Sequence, residues 1–258
     1  MTKKNFHTHS TFSDGRNTPR ENVISAIEKG FTELGFSEHS YLPVAGYSMP
    51  LDKTATYIDE INSLRAEFSD KIKISCGLEF DIYTNPDAYQ GFAFDYILGA
   101  CHYVVRDGIF YSVDHSKADC EKAIREGFGG DELAFFKNYF DGLLKVIHLK
   151  NQGIAPLMYV AHFDLPTKFG VIDTLNPAYR SLALEVLDAF LDSDIAVEIN
   201  TGAMAKGIKA TPYPEDFLIQ RVIERGGRMI FGSDCHFADK LDFGYDFFTK
   251  FLLTNHNI

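Results

Sequence analysis

The stretch NFHTHSTFSDG, residues 5–15, sets two imidazoles two positions apart, His7 and His9, and follows them with a carboxylate at Asp14. The pair closes the first run of β character, at about 3–8. Alternate side chains on a strand point the same way, so both imidazoles can reach toward one centre. Asp14, in the loop that leaves the strand, is near enough to fold back.

The same arrangement recurs down the chain. His39 follows a second β run (33–37), Glu79 closes a third (71–80), and His102 falls in a fourth (94–104). His162 closes a fifth (154–162), a sixth spans 195–200, and Asp234 and His236, again two apart, close a seventh (228–234). Helical patterns lie between these runs. Thr18, Pro19 and Glu21 spell an N-cap, an N1 proline and a capping box. Tyr57, Ile61, Leu64 and Phe68 repeat at helical spacing within 53–69. A helical region covers 115–151, interrupted at Gly129-Gly130, and Asn176-Pro177 opens another helix. Further helices are expected at 214–225 and near 243–253.

Strand alternating with helix implies a parallel sheet, either open and doubly wound or closed into a barrel. No G-x-G-x-x-G or P-loop pattern follows a strand, which removes the usual nucleotide-binding reason for the open sheet. The polar residues decide between the two. In a parallel barrel every strand ends on one face, and that face carries the active site. Groups that span 230 positions would then converge. The expected class is α/β, a barrel of TIM type with its site at the C-terminal ends of the strands, in a single domain over 1–258.

A net charge of −11 and a pI near 5.2 argue against a nucleic-acid groove or an anionic membrane as partner. A small anionic substrate stays open if local cations supply the counter-charge. Four cysteines without a C-x-x-C pair suggest neither a disulfide framework nor a zinc ribbon. No apolar run approaches a membrane span, and the start of the chain lacks the core of a signal peptide. A reduced, cytoplasmic protein is expected.

The metal-type inventory is six histidines and three carboxylates: His7, His9, Asp14, His39, Glu79, His102, His162, Asp234 and His236. One four- or five-coordinate ion cannot use nine donors. Three ions sharing bridging groups suit the count better than two, and Glu79 is a natural bridge. Mixed N/O donors without thiolate fit Zn, Fe or Mn. His115, His148 and His256 read as surface or capping groups. Cys101 and Cys235 adjoin candidate ligands, but alternation should point them away.

His7-Thr8-His9, Ser13-Asp14-Gly15, Glu38-His39, Gly77-Leu78-Glu79, His102, His162 and Gly232-Ser233-Asp234-Cys235-His236, in that order, resemble the polymerase and histidinol phosphatase (PHP) family over the whole chain. The segments DYILGACHYV (95–104), SVDHSK (112–117), YVAHFDLPTKFG (159–170), VEINTGAMAKG (197–207) and PYPEDF (212–217) resemble its stand-alone histidinol-phosphate phosphatases. The resemblance implies a distorted (β/α)7 barrel, a trinuclear metal centre and hydrolysis of L-histidinol phosphate. It implies His7, His9, Glu79 and Asp234 around one ion, Glu79, His102 and His162 around a second, and Asp14, His39 and His236 around a third. Where members usually carry a basic residue before the lysine after the sixth strand, this chain has Ala205.

On this reading a hydroxide bridging two ions attacks phosphorus, since bound metals acidify water and clamp attacking and leaving oxygens. The leaving oxygen takes its proton from a metal-bound water, Asp14 or His39. Arg16, Lys168 and Lys206 are the candidate phosphate cations. Lys168 and Lys206 are favoured, because both follow strands and lie where the family has basic residues. Asp81, Tyr83 and Tyr103 are candidates to meet an imidazole-bearing amine. The alternatives are a PHP phosphoesterase acting on a sugar phosphate, nucleotide or DNA end, an amidohydrolase barrel, which also begins with H-x-H, and a metal-binding barrel without catalysis.

Overall fold

The structure, a computed structural model, describes residues 2–255. In chain order it runs β1 (Lys4–Asn5), α1 (Pro19–Glu28), β2 (Glu33–His39), α2 (Thr54–Glu67), β3 (Lys73–Asp81), β4 (Tyr96–Ala100), β5 (Tyr103–Arg106) and β6 (Ile109–Ser112). It continues with α3 (Lys117–Lys122), α4 (Glu132–Leu143), α5 (Lys145–Gln152), β7 (Leu157–Val160), α6 (Pro177–Asp192), β8 (Ala196–Asn200), α7 (Gly202–Ala205), α8 (Asp216–Glu224), β9 (Met229–Gly232) and α9 (Tyr245–Asn255). Seven strands pair in parallel in the order β1-β2-β3-β4-β7-β8-β9. The first and last strands then meet: Phe6 N–H donates to Phe231 O, Asp234 N–H to His7 O and His9 N–H to Cys235 O, at 3.0–3.1 Å. The sheet is therefore closed into the expected distorted (β/α)7 barrel.

Local chemistry accounts for the helix starts. Thr18 and Glu21 exchange hydrogen bonds as a capping box at α1, and Asn176 caps α6 ahead of Pro177. Period-two alternation sorts the strand residues. Ile74, Cys76, Leu78 and Phe80 of β3, Ile97 and Cys101 at β4, and Val197 and Ile199 of β8 pack outward against the helices. Tyr96, Leu98, Ala100, Tyr159, Ala161 and Ala196, with Phe6 and Ile230, fill the interior. In this phase Glu79 and His102 fall on the inward side, one or two rungs above the apolar plug, and Cys101 points away as expected.

Two departures from the sequence reading matter. The fourth run is not one strand: β4 ends at Ala100, and β5 and β6 form an antiparallel hairpin over the Asp107-Gly108 turn. The signal was present, because Asp-Gly between two short β-rich runs is a strong hairpin pattern. The 115–151 region breaks into α3, α4 and α5. Among the described residues no helix is long and apolar enough to cross a membrane. His256 lies outside the described residues.

The plug depends on missing side chains. The fully buried Tyr96 hydroxyl lies 2.7 and 2.8 Å from the carbonyl oxygens of Phe6 and Phe36, to which it donates. A Cβ on Gly77 would stand 2.3 Å from the Tyr96 ring, and one on Gly35 2.4 Å from its hydroxyl. Gly77→Ala is expected to destabilise the barrel by about 1–3 kcal/mol through overpacking, read as a lower urea midpoint at unchanged slope.

Candidate metal centre

Glu79 is 1% exposed, and its two oxygens face five imidazoles. His39 Nδ1, His7 Nε2 and His9 Nε2 lie 2.8, 3.3 and 3.5 Å from Oε2. His162 Nε2 and His102 Nε2 lie 2.8 and 3.2 Å from Oε1. Register explains part of this, since His39 on β2 is the direct neighbour of Glu79 on β3. Asp234 Oδ1 comes within 3.4 Å of His9 Nε2. Asp14 folds back as its loop position suggested: Oδ2 is 3.1 Å from His236 Nε2 and Oδ1 3.7 Å from His39 Nε2. All nine sequence candidates thus converge at one end of the barrel.

Donor atoms within 4.8 Å of one another form three groups: His7, His9 and Glu79; His39, Glu79 and His102; and His9, Asp14, His39 and His236. Each pair of groups shares one residue, as a cluster of bridged sites requires. The second group holds His39 alongside Glu79 and His102, while His162 reaches the same carboxylate through its own contact. The donor set fits divalent metal for a further reason. Asp14 Oδ1 and His9 Nδ1 are buried without a hydrogen-bond partner, and an orphaned buried polar atom is costly. His7 Nε2 and His9 Nε2 also lie 3.1 Å apart, close enough to share a proton or a metal ion.

The charges are tightly coupled. Burial would raise the Glu79 carboxyl, but His39, His7 and His102 hold it well below the usual carboxylate range. Burial lowers His7, yet Glu198, Glu79 and Asp234 raise it well above an ordinary imidazole. Burial, then the charges of His39 and His236, push His9 down to about 3, leaving it neutral, the form that ligates metal.

Backbone geometry aims two of these groups. His162 (φ 20°) and Asp234 (φ 49°) both lie at positive φ, uncommon for residues with a Cβ and often found at functional sites. Alternation from the inward Ala161 would send His162 outward, and the unusual dihedral turns it back.

Sequence reading missed Glu198. It is fully buried on β8, accepts from His7 Nδ1–H at 2.6 Å through Oε1, and accepts through Oε2 from His162 N–H at 2.8 Å and Asn200 Nδ2 at 3.0 Å. The signal was a carboxylate between outward Val197 and Ile199. Asp81 plays a similar part, accepting from His102 Nδ1–H at 3.1 Å. These bonds leave Nε2 of His7 and His102 free to ligate. Asp81 is therefore a support for His102, and neither it nor Tyr83 nor Tyr103 lines the cleft above the cluster.

That cleft, about 310 Å³, is lined by Tyr47, Asp114, Lys168, Phe169, Lys206 and Tyr213 above the cluster, at the small end of the range of about 300–1,000 Å³ usual for ligand pockets. Lys206 lines it and forms no ion pair among the described residues, whereas Lys168 Nζ is held by Asp114 at 3.1 Å. Arg16 is exposed and does not line the cleft. His148 is exposed as expected, and His115, also exposed, reaches the cleft rim.

The PHP domain family matches residues 5–202. This chain belongs to the PHP domain family. This chain is 32% identical over 255 residues to a histidinol-phosphatase of Lactococcus lactis, covering 93% of this chain and 86% of the relative. It is 25% identical to the histidinol-phosphatase of Bacillus subtilis, over 97% and 99% of the two chains. Among solved structures, that of the Lactococcus lactis histidinol phosphate phosphatase, complexed with zinc, L-histidinol and phosphate, superposes with a TM-score of 0.72 at 26% identity, covering 97% of this chain and 94% of that one.

The support given by Glu198 can be tested on this PHP domain directly. Glu198→Gln is expected to weaken metal binding about 10–100-fold, measured by competition with a chromogenic chelator. Gly232→Ala should act in the same direction, because its Cβ would fall 1.7 Å from Glu198 Oε1.

Proposed function

We propose that the protein is a metal-dependent phosphatase that hydrolyses L-histidinol phosphate to L-histidinol and phosphate. The observation that carries this reading is the cluster of nine donors, seven in three mutually close groups with His162 and Asp234 in contact with them, on the floor of a cleft that Lys206 lines without an ion pair among the described residues. The relatives support it: histidinol-phosphatases at 25–32% identity over most of the chain, one of them solved with zinc and both products. Three divalent ions, zinc or else iron or manganese, are the proposed complement. His7, His9, Glu79 and Asp234 would hold one, Glu79, His102 and His162 a second, and Asp14, His39 and His236 a third. Bound there, such ions polarise phosphoryl oxygens and supply a nucleophile from water at neutral pH.

The chain's own groups do the rest. Lys206 offers an ammonium to the phosphoryl oxygens by charge-assisted hydrogen bonds. Lys168 is a second cation, once released from Asp114. Asp14 and His39 line the cleft, where they would hold the third ion at its wall. Glu198 and Asp81 keep His7 and His102 in the ligating tautomer. With a net charge of −11, the partner is a small molecule rather than nucleic acid. Four free, buried cysteines suit a reducing cytoplasm.

A barrel that binds metal without catalysis is the second reading, and the presence of all nine donors speaks against it. Turnover of L-histidinol phosphate against a panel of monoesters decides. Activity should vanish with chelator and return with metal, and His9→Ala should abolish it together with part of the bound metal. Full activity of His9→Ala would overturn the cluster as the catalytic centre. Lys206→Ala should raise KM for the monoester about 10–100-fold, the worth of a hydrogen bond to a charged group, with a smaller effect on kcat.

A further inference from the structure

The hairpin β5–β6 branches off the barrel just after His102 and ends by delivering Asp114 to the cleft. Val113 N–H donates to His102 O at 3.0 Å and ties this segment to the end of β4. Of the carboxylates that line the cleft, Asp14 and Glu79 belong to the close donor groups and Asp234 contacts His9 beside them, whereas Asp114 does neither. Lys168 Nζ donates to the Asp114 carbonyl at 2.8 Å and to Oδ2 at 3.1 Å. Oδ1 makes no hydrogen bond among the described residues, and the side chain keeps 22% of its surface open. Tyr47, Phe169 and Tyr213 supply aromatic wall around the same cleft.

We infer that Asp114 is the specificity-determining residue of this site, the counter-ion for an ammonium group on the alcohol portion of the substrate. This rests on the phosphatase reading and deepens it. An anion-hydrolysing site has no evident use for a carboxylate at its mouth, because it repels the incoming dianion and occupies Lys168. A substrate that carries both charges resolves the conflict. The protein's Asp114–Lys168 pair exchanges partners with the substrate's ammonium and phosphate, and no charge is left unpaired in a partly dehydrated cleft. A monoester of an uncharged alcohol either faces Asp114 across the cleft or finds Lys168 already taken. Discrimination thus comes from a repulsive element that only the right substrate cancels.

The experiment compares kcat/KM for L-histidinol phosphate and for the imidazolylpropanol phosphate that lacks only the amine. Metal-loaded wild type, Asp114→Asn and Asp114→Glu are assayed in parallel. Wild type is expected to prefer the amine-bearing ester by at least about 30-fold, the scale of losing one partner of a desolvated charge pair. Asp114→Asn should lose that preference mainly through KM, and Asp114→Glu should keep part of it. The ratio between two esters in one preparation is insensitive to a general loss of fold or metal. Equal turnover of the two esters by wild type overturns the inference without any variant, and so does a preference that survives in Asp114→Asn. Wild type that hydrolyses other monoesters but not L-histidinol phosphate would instead overturn the substrate reading, and the role of Asp114 with it.

Discussion

A carboxylate buried among five imidazoles is the constraint on which this molecule turns. Glu79 is held ionised in a place where burial alone would neutralise it. Its two oxygens are shared between the His7/His9 side and the His102/His162 side of the site. Such an arrangement is stable only when the surrounding charge is positive, whether protons or metal supply it. The supports around it follow from that need. Glu198 ties His7 to the backbone of His162, and Asp81 turns His102. Glu38, fully buried, accepts from the Ser10 hydroxyl at 2.6 Å and from the Ser13 hydroxyl, holding the loop that carries Asp14.

The barrel beneath is built to keep this cluster at one end. Its interior is closed by Tyr96, Leu98, Tyr159 and Phe6, so the polar groups stand on an apolar floor rather than in a channel. A solved protein of Listeria monocytogenes has the same fold, at a TM-score of 0.84 with 22% identity over 95% of this chain and all of that one. Similarity of fold at so low an identity is what packing permits, since cores tolerate substitution while volume and pattern are kept. The donors of the site have no such latitude, because each must place a particular atom.

Much of the fold was legible because two periodicities carry it. The capping box at Thr18, the Asn176-Pro177 start and the sixth strand around 195–200 read correctly from local chemistry alone. The fourth β run did not, because YILGACHYV stays apolar through the point where the chain leaves the barrel. Only the Asp107-Gly108 turn marks the new hairpin. The site was legible in its donors because each follows a strand. Its supports were harder to see: Glu198 and Asp81 touch the cluster from behind, and a buried carboxylate in one strand looks in sequence like any strand-end acid. Among the cations, Arg16 sits on a strand-end loop as Lys168 does, yet the loop turns its side chain to solvent.

The sequence by itself placed the donors at one end of the barrel, because a closed parallel sheet gathers all its carboxyl ends on one face, and strict alternation of the pleat accounts for the inward Glu79 and His102 but not for His162. It therefore determined the site's chemistry and end of the barrel. Only the tertiary structure decided how the donors share Glu79, and that Asp114 pairs with Lys168 while Lys206 forms no ion pair among the described residues. Those are distances between residues on different strands and loops. They depend on register, on the hairpin inserted after β4 and on the turned backbone at His162 and Asp234, none of which a period along one strand can encode.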